Sequence, residues 1–145
     1  MKILLQRVTS ASVTVEGEVL GSISKGIMAL VGIEPHDTEE SVARGIDKLL
    51  KYRIFSDDAG KMNLSLKDIE GELLLISQFT LAADTKKGLR PSFTSAANPE
   101  LGKSLFDYAI TYAKTTLKKV ETGRFGADMQ VALVNDGPVT FLLEN

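Results

Sequence analysis

The sequence contains no cysteine and no tryptophan, and its only histidine is His36. Without thiols the chain can hold neither a disulfide framework, nor a cysteine nucleophile, nor a thiolate metal site. One histidine also argues against zinc, which needs three or four clustered ligands, and against a Ser-His-Asp relay. No Walker, dinucleotide-glycine or EF-hand spacing occurs. The chemistry therefore has to use hydroxyls, amides, backbone groups or the substrate itself, and we expect no metal and no cofactor.

Long apolar runs and an excess of charge are also missing. The longest apolar run covers residues 27–33, and the first eight residues contain an apolar run of three, so neither a membrane span nor a signal peptide is predicted. We expect a cytoplasmic protein with no membrane partner. A net charge of −2 counts against a dedicated nucleic-acid binder. Two local basic groups, residues 86–90 and Lys114/Lys118/Lys119, are typical of a solvated surface, with phosphate contact as the alternative.

The 145 residues predict one α+β domain, residues 1–145, with two main amphipathic helices. Residues 2–33 have the β-branched and aliphatic composition of an antiparallel meander, with turns at "EGE" and "SKG". "HDTEESVARGIDKLLKY" predicts a helix capped by Asp37 with Glu40 three residues later, and Asn98 with Pro99 starts a second helix. We count about eight strands against the two helices. We expect these strands to form a mostly antiparallel sheet that curls toward a barrel.

Several segments between these elements carry polar or irregular residues. "SDDAGKMNLSLKDIEGE" is predicted to be a loop, and "TKKGLRPSFTSAANP" is a connection long enough to suggest a function. At the C-terminus, "NDGPVT" lies between two predicted strands. Proline cannot donate a ladder hydrogen bond, so Pro138 after Gly137 is unfavourable in a simple hairpin and requires another explanation.

Polar side chains follow the most apolar strand, "ELLLI", where Ser77, Gln78 and Thr80 arrive together. Such groups need partners, and a ligand can be one, although alternation onto a solvent face is the simpler interpretation. Gly123 and Gly126 around Phe125 indicate a backbone bend with a close approach.

Taken together, the ordered motifs "QRV", "SQFTL", "RPSF", "GRFGADM" and "NDGPVT" resemble those of the D-aminoacyl-tRNA deacylase family from Gln6 to the C-terminus. The resemblance implies a homodimer whose active sites lie at the subunit interface. It also implies a cis Gly137-Pro138 bond whose carbonyl oxygens reach into the partner's pocket. There they would accept the ammonium and Cα–H of a D-aminoacyl ester and exclude an L side chain. The implied activity is hydrolysis of D-aminoacyl-tRNA, and of glycine mischarged on tRNA.

The resemblance also assigns roles to individual residues. The pocket strand would comprise Ser77 and Leu81 as substrate-binding residues and Gln78, Phe79 and Thr80 as catalytic ones. The substrate-binding set is completed by Phe125, Met129, Gly137, Pro138 and Arg7, the arginine fixing the Gly-Pro turn. Two catalytic routes stay open at this point: a Thr80 nucleophile, for which no activating base is visible, and activation of water by the substrate's ribose hydroxyl, with backbone N–H groups near Phe79 and Thr80 holding the oxyanion.

Two other functions fit parts of the same pattern. A non-catalytic tRNA- or nucleic-acid-binding module of this fold would bind with a steep salt dependence. An editing module of the archaeal threonyl-tRNA synthetase type would act on an L-amino acid, which the chain length and the "GPVT" motif disfavour.

Overall fold

The computed structural model describes all 145 residues and consists of a strongly curved sheet with two helices packed on it. The strands are β1 (Lys2–Val15), β2 (Glu18–Ile23), β3 (Gly26–Gly32), β4 (Phe55–Ser56), β5 (Met62–Leu64), β6 (Glu72–Ser77), β7 (Val120–Thr122) and β8 (Gln130–Glu144). The helices are α1 (Glu39–Lys51), α2 (Pro99–Lys114) and a short 3₁₀ helix (Phe79–Ala82). The predicted α+β class with a mostly antiparallel, barrel-like sheet is confirmed.

The first three strands form one long hairpin, not the predicted meander. Ile23 lies opposite Ala11 and Gly26 lies opposite Val8, so β2 and β3 run in the same direction along one edge of β1. The "EGE" segment makes the reversal, with Glu16 and Gly17 at positive φ. The "SKG" segment is a break within the returning strand, and the prediction of a turn there was wrong.

Strand β8 is one continuous strand along the whole of β1, where two strands joined by a turn were expected. Its register shifts between two pairs: Gln6 lies opposite Thr140, but Val8 lies opposite Asn135. Between these pairs one residue of β1, Arg7, matches four residues of β8, 136–139, and the extra residues, which include Gly137 and Pro138, form a bulge. Proline is tolerated because it lies at this bulge and makes no ladder hydrogen bond.

Helix α1 begins one residue later than predicted. Thr38 is the N-cap and exchanges hydrogen bonds with Ser41 in a capping box, so the assignment of this role to Asp37 and Glu40 was wrong. Asp37 is instead buried, and its carboxylate accepts hydrogen bonds from the Met1 ammonium and from Ser41. The cap of α2 is as predicted: Asn98 Oδ1 accepts from Leu101 N–H, and Pro99 is the first helical residue.

A cluster of 24 buried residues fills the space between the helices and the sheet. The buried core of β6, Leu73 to Ile76, lies between β3 and β7, so the most apolar strand of the sequence is a central strand of the sheet. That strand ends at Ser77, and the "FTLA" segment turns into the 3₁₀ helix. The loop predicted after β4 contains strand β5, which pairs with β4. Neither helix combines the length and the hydropathy that a membrane span requires.

Candidate active site

A cavity of about 710 Å³ opens where β6 ends. It is lined by the last residues of β6 and the first of the 3₁₀ helix, and also by residues 93–94, residues 96–98 and the start of α2. Further lining residues are 125–129 and Val131 at the beginning of β8. Three segments distant in sequence therefore meet at the carboxyl end of the most deeply buried strand.

Ser77, Gln78 and Phe79 line the cavity, in agreement with their predicted place at the end of the apolar strand. The N–H of Gln78 donates to the Val31 carbonyl and fixes the chain as it leaves the sheet. The N–H of Phe79, at the start of the 3₁₀ helix, has no acceptor in the protein, as is usual for the first turn of a helix. The site thus offers an unpaired backbone donor at the cavity.

Thr80 and Leu81 belong to the same turn but do not line the cavity. The Thr80 hydroxyl is exposed and accepts a hydrogen bond of 2.5 Å from the Gln78 amide nitrogen. An amide N–H is a donor and cannot remove a proton from the hydroxyl. The geometry therefore gives Thr80 no activating base.

Aromatic side chains form much of the cavity surface. The rings of Phe79 and Phe93 lie 5.2 Å apart between centroids, and Phe125 packs 6.4 Å from Phe106 of α2. Met129 lines the cavity beside Phe125. Such walls suit a ligand with an apolar or aromatic portion.

The predicted bend before Met129 is present. Gly126 has a φ of +77°, and the Met129 sulfur occupies the space that a Cβ on Gly123 would need.

Asp128 is the one titratable side chain that lines the cavity, and it is exposed. The remaining polar groups are hydroxyls, amides and backbone groups, including Thr94 and Asn98. This arrangement can orient and polarise a ligand through hydrogen bonds, and it provides no His or Lys for general acid-base work.

Gly137 and Pro138 lie outside this cavity, on the exposed bulge of β8. The bond between them is cis, and Gly137 has a φ of +151°, where the Cβ of another residue would lie 2.6 Å from a Val139 methyl group. Asn135 closes the bulge, because its Oδ1 accepts from Val139 N–H at 2.7 Å and its Nδ2 donates to the Thr140 hydroxyl at 3.0 Å.

Arg7 anchors Asp136, the residue before Gly137 in the bulge. Its Nε donates to the Asp136 carbonyl at 2.9 Å, and its Nη1 donates to the Ile54 carbonyl at 2.7 Å. The side chain is largely buried and does not reach the cavity. It therefore ties the Gly-Pro bulge to the segment before β4.

The residues predicted for the site thus divide into two places on the chain. Ser77, Gln78, Phe79, Phe125 and Met129 meet at the cavity, whereas Arg7, Gly137 and Pro138 meet at the bulge.

The prediction missed several lining residues, among them Phe93, Thr94, Asn98 and Asp128. The "RPSF" and "GRFGADM" motifs already contained Phe93 and Asp128. Asn98 was recognised only as a helix cap, because nothing local in the sequence shows that α2 starts at the cavity.

Fold and site define a small α+β protein with a curled sheet, a cavity at the end of its central strand and a Gly-Pro bulge on an edge strand. The chain belongs to the D-Tyr-tRNA(Tyr) deacylase family, whose model matches residues 4–144. A D-aminoacyl-tRNA deacylase of Ectopseudomonas mendocina is 64% identical over 99% of both chains, and one of Pseudomonas aeruginosa PAO1 is 60% identical over 100% of both.

Two solved structures share the whole fold. A structure described as a c-Myc DNA unwinding element binding protein is 40% identical, with a TM-score of 0.96 over 100% of this chain and 99% of that one. A probable eukaryotic D-amino acid tRNA deacylase is 16% identical, with a TM-score of 0.87 over 98% of this chain and 97% of that one, and this likeness concerns the fold alone.

Proposed function

We propose that this chain hydrolyses the ester bond of D-aminoacyl-tRNA in the cytoplasm, releasing the D-amino acid and free tRNA. The observation that carries the proposal is the family match over residues 4–144, in which the motif residues Ser77 to Phe79, Phe125 and Met129 converge on one cavity. Curated relatives that carry the deacylase name are 60–64% identical over essentially the full chain.

The size of the cavity fits the reacting end of such a substrate. Its volume of about 710 Å³ lies within the range of roughly 300–1,000 Å³ that small-molecule sites occupy. An aminoacyl group and its terminal adenosine are of that size, and the aromatic wall at Phe125 and Met129 offers a surface for the adenine. The rest of the tRNA has to remain outside.

We propose further that the working site needs a second copy of the chain. Gly137 and Pro138 do not line the cavity of their own chain, and β8 pairs only with β1, which leaves its outer edge free over Gln130–Glu144. Val134, Phe141 and Leu142 are exposed apolar residues on that strand. A long free edge with apolar side chains favours association with another chain. A homodimer across this edge would bring each Gly-Pro bulge toward the partner's cavity.

Chiral selection would then come from the bulge. Its backbone carbonyl oxygens would accept the ammonium and Cα–H of a D-aminoacyl ester, whereas an L-enantiomer would press its side chain against them. An acceptor buried without a donor costs about 1–3 kcal/mol. The L-aminoacyl ester would therefore be rejected by two such desolvation penalties, one for each carbonyl oxygen, as well as by steric clash. Because glycine has no side chain to reject, Gly-tRNA would also be a substrate.

The chemistry we propose is attack by water on the ester carbonyl, with the ribose oxygen as leaving group. We assign the holding of the developing oxyanion to the N–H of Phe79, and its lack of an acceptor within the protein and the place of Phe79 in the cavity lining support this assignment. The neighbouring ribose hydroxyl of the substrate assists the water, because the cavity has no His or Lys, its one carboxylate (Asp128) is exposed to solvent, and Thr80 has no proton acceptor.

Time courses of deacylation test this function. Purified protein, with a chelator present, should release D-Tyr from D-Tyr-tRNA and glycine from Gly-tRNA, and should leave L-Tyr-tRNA intact over the same period. A catalysed loss of the L-ester, or stability of the D-ester, would exclude the proposed activity.

A non-catalytic nucleic-acid-binding module is the second candidate, favoured by the likeness to the 40% identical structure described as a DNA unwinding element binding protein. The net charge of −2 opposes it. The same time courses separate the two functions, because a binding module would shift the mobility of tRNA or DNA without hydrolysing any ester.

A further inference from the structure

We propose that residues 85–91, here called the basic loop, bind phosphates of the single-stranded 3′ end of the tRNA substrate where it leaves the cavity. The contacts would come from Lys86, Lys87 and Arg90. This inference rests on the proposed function for the identity of the nucleic acid. It adds a surface, outside the cavity, that recognises the 3′ strand of the tRNA and not the amino acid.

The basic loop shortly precedes, in sequence, two residues that line the cavity. Asp84 and Ser92 exchange two backbone hydrogen bonds, of 2.8 and 3.0 Å, and so close the loop at its base. The next residues, Phe93 and Thr94, line the cavity, and the Phe93 ring lies 5.2 Å from that of Phe79. Any chain emerging from the cavity on this side meets the loop.

The charge of the loop has no partner within the protein. Lys86, Lys87 and Arg90 are exposed, and none of them takes part in an ion pair. Asp84 at the base is the one nearby carboxylate of the segment, and its Oδ1 already accepts the backbone N–H of Lys86. Three cationic side chains against one carboxylate make this segment positive in a chain whose total charge is −2.

The loop also contributes no buried side chain to the core, so core packing does not explain its sequence. Every residue from 84 to 94 is exposed, and Leu89 is exposed as fully as in an extended chain. Phe93 is 46% exposed beside the cations. Cations that follow a phosphate backbone, next to an exposed aromatic ring on which a base can stack, are the usual pattern of single-strand binding.

The second basic group of the chain provides a contrast. Lys118 and Lys119 precede β7, whose Val120 lies opposite Leu73 at the start of β6, whereas the cavity lies at the other end of that strand. Six residues of strand separate the two ends by about 20 Å. Lys119 is also paired with Glu72 at 3.5 Å. Of the two basic groups, only the loop is placed to meet a substrate that enters the cavity.

The test compares two substrates that share the reacting end. The double variant Lys86→Ala/Lys87→Ala is assayed on D-Tyr-tRNA and on D-tyrosyl-adenosine, which has the ester but no phosphates. We expect KM for D-Tyr-tRNA to rise about 5- to 10-fold with kcat unchanged, since each neutralised phosphate contributes roughly threefold at moderate salt. Hydrolysis of D-tyrosyl-adenosine should stay at the wild-type rate.

Two matched variants complete the design. Lys114→Ala/Lys118→Ala removes the same charge at the far end of the molecule and should leave both substrates unaffected. Lys86→Arg/Lys87→Arg keeps the charge and should restore KM. Equal KM values for the loop variant and wild type on D-Tyr-tRNA, or an equal loss on both substrates, would overturn the inference.

Binding of uncharged tRNA, followed by fluorescence anisotropy against salt, separates this inference from the proposed function. The loop variant should reduce the slope of log Kd against log salt by about 1.4, because each single-strand phosphate that a lysine neutralises adds about 0.7 to that slope. If wild type hydrolyses no ester but binds tRNA with this loop-dependent slope, the proposed function fails and the loop surface stands. An unchanged slope would refute the loop surface.

Discussion

At the scale of single residues, the proposed catalysis depends on which atoms near the end of β6 would contact the ester. Thr80 is the one hydroxyl of the 3₁₀ turn, yet it lies outside the cavity and accepts its hydrogen bond from an amide. A nucleophilic hydroxyl needs a base that removes its proton, and none contacts it.

We therefore predict that Thr80→Ala retains substantial deacylase activity, within about tenfold of wild type. The expected cost is the loss of one hydrogen bond that orients Gln78, which amounts to about 1 kcal/mol. Single-turnover hydrolysis of D-Tyr-tRNA measures it, with Thr111→Ala on the exposed face of α2 as the control. A loss of three orders of magnitude or more would restore Thr80 as the nucleophile.

The backbone N–H of Phe79 can be tested by a substitution that removes little else. Phe79→Pro deletes the donor, and proline fits the first position of a helical turn, here after Gln78, whose backbone (φ −141°, ψ 83°) lies outside the helical region that a following proline disfavours. The deleted N–H has no acceptor within the protein, so folding loses no hydrogen bond.

We expect Phe79→Pro to lower kcat by about 10²–10³, the usual effect of removing one oxyanion donor. Phe79→Ala, which keeps the N–H and removes the ring, is the matched control and should retain most of kcat while raising KM. If both variants show the same kcat, the donor has no catalytic role.

Part of this site could be predicted from the residues, because polar groups at the end of an apolar strand have to find partners. Placing Ser77 and Gln78 at the cavity follows from that rule, whereas Phe79 was assigned to the site by the family resemblance. The contribution of Phe93 and Asn98 could not be predicted, since it depends on how a long connection and the start of α2 fold back over β6. The exclusion of Thr80 likewise depends on the 3₁₀ turn, where a continuing strand was expected.

At the scale of the elements, the start of α1 joins the N-terminus to the helix. Burial opposes ionisation of the Asp37 carboxyl, but hydrogen bonds from the Met1 ammonium, the Glu34 N–H and Ser41 outweigh this effect and lower its pKa below the ordinary value of 3.8. A lowered pKa stabilises the folded state above the unfolded value, and this stabilisation is lost as pH falls through the lower, folded-state pKa.

We predict that Asp37→Asn lowers the free energy of unfolding by roughly 3 kcal/mol at pH 7, because the buried ammonium loses one of its two carboxylates. The difference between wild type and variant should shrink as pH falls below about 4. Urea unfolding at pH 7, 4 and 3 measures it, with the exposed Asp58→Asn as the control. Equal unfolding midpoints at pH 7 would contradict the assigned role.

Local sequence patterns were enough to predict the helices and the central strand, but they did not predict how the strands are connected. The apolar spacing of Val42, Ile46, Leu49 and Leu50 defines the buried face of α1, and each of these residues is buried. The "SKG" and "NDGPVT" segments have the composition of turns. Each nevertheless lies within a longer extended stretch, because β1 pairs with β2 and β3 along one edge and with β8 along the other. Pairing over fourteen residues of β1 outweighed the local turn signals.

At the scale of the whole molecule, the two groups of predicted site residues lie in different places, and a second chain would unite them. Phe79 lies at the cavity and Gly137 at the free edge of β8. No local sequence signal could reveal this separation. We expect the protein to be a dimer in solution and Leu142→Asp on the exposed edge to weaken the dimer and the activity together.

Mixing two inactive variants tests most directly that D-aminoacyl-tRNA is hydrolysed at a site shared by two chains. Phe79→Pro removes the cavity donor, and Gly137→Ala distorts the bulge, where an added Cβ meets Val139. After dissociation and random reassociation, half of the dimers carry one intact site of two, so D-Tyr-tRNA hydrolysis should return to about a quarter of the wild-type rate. Activity that stays at the level of the separate variants would contradict the shared site.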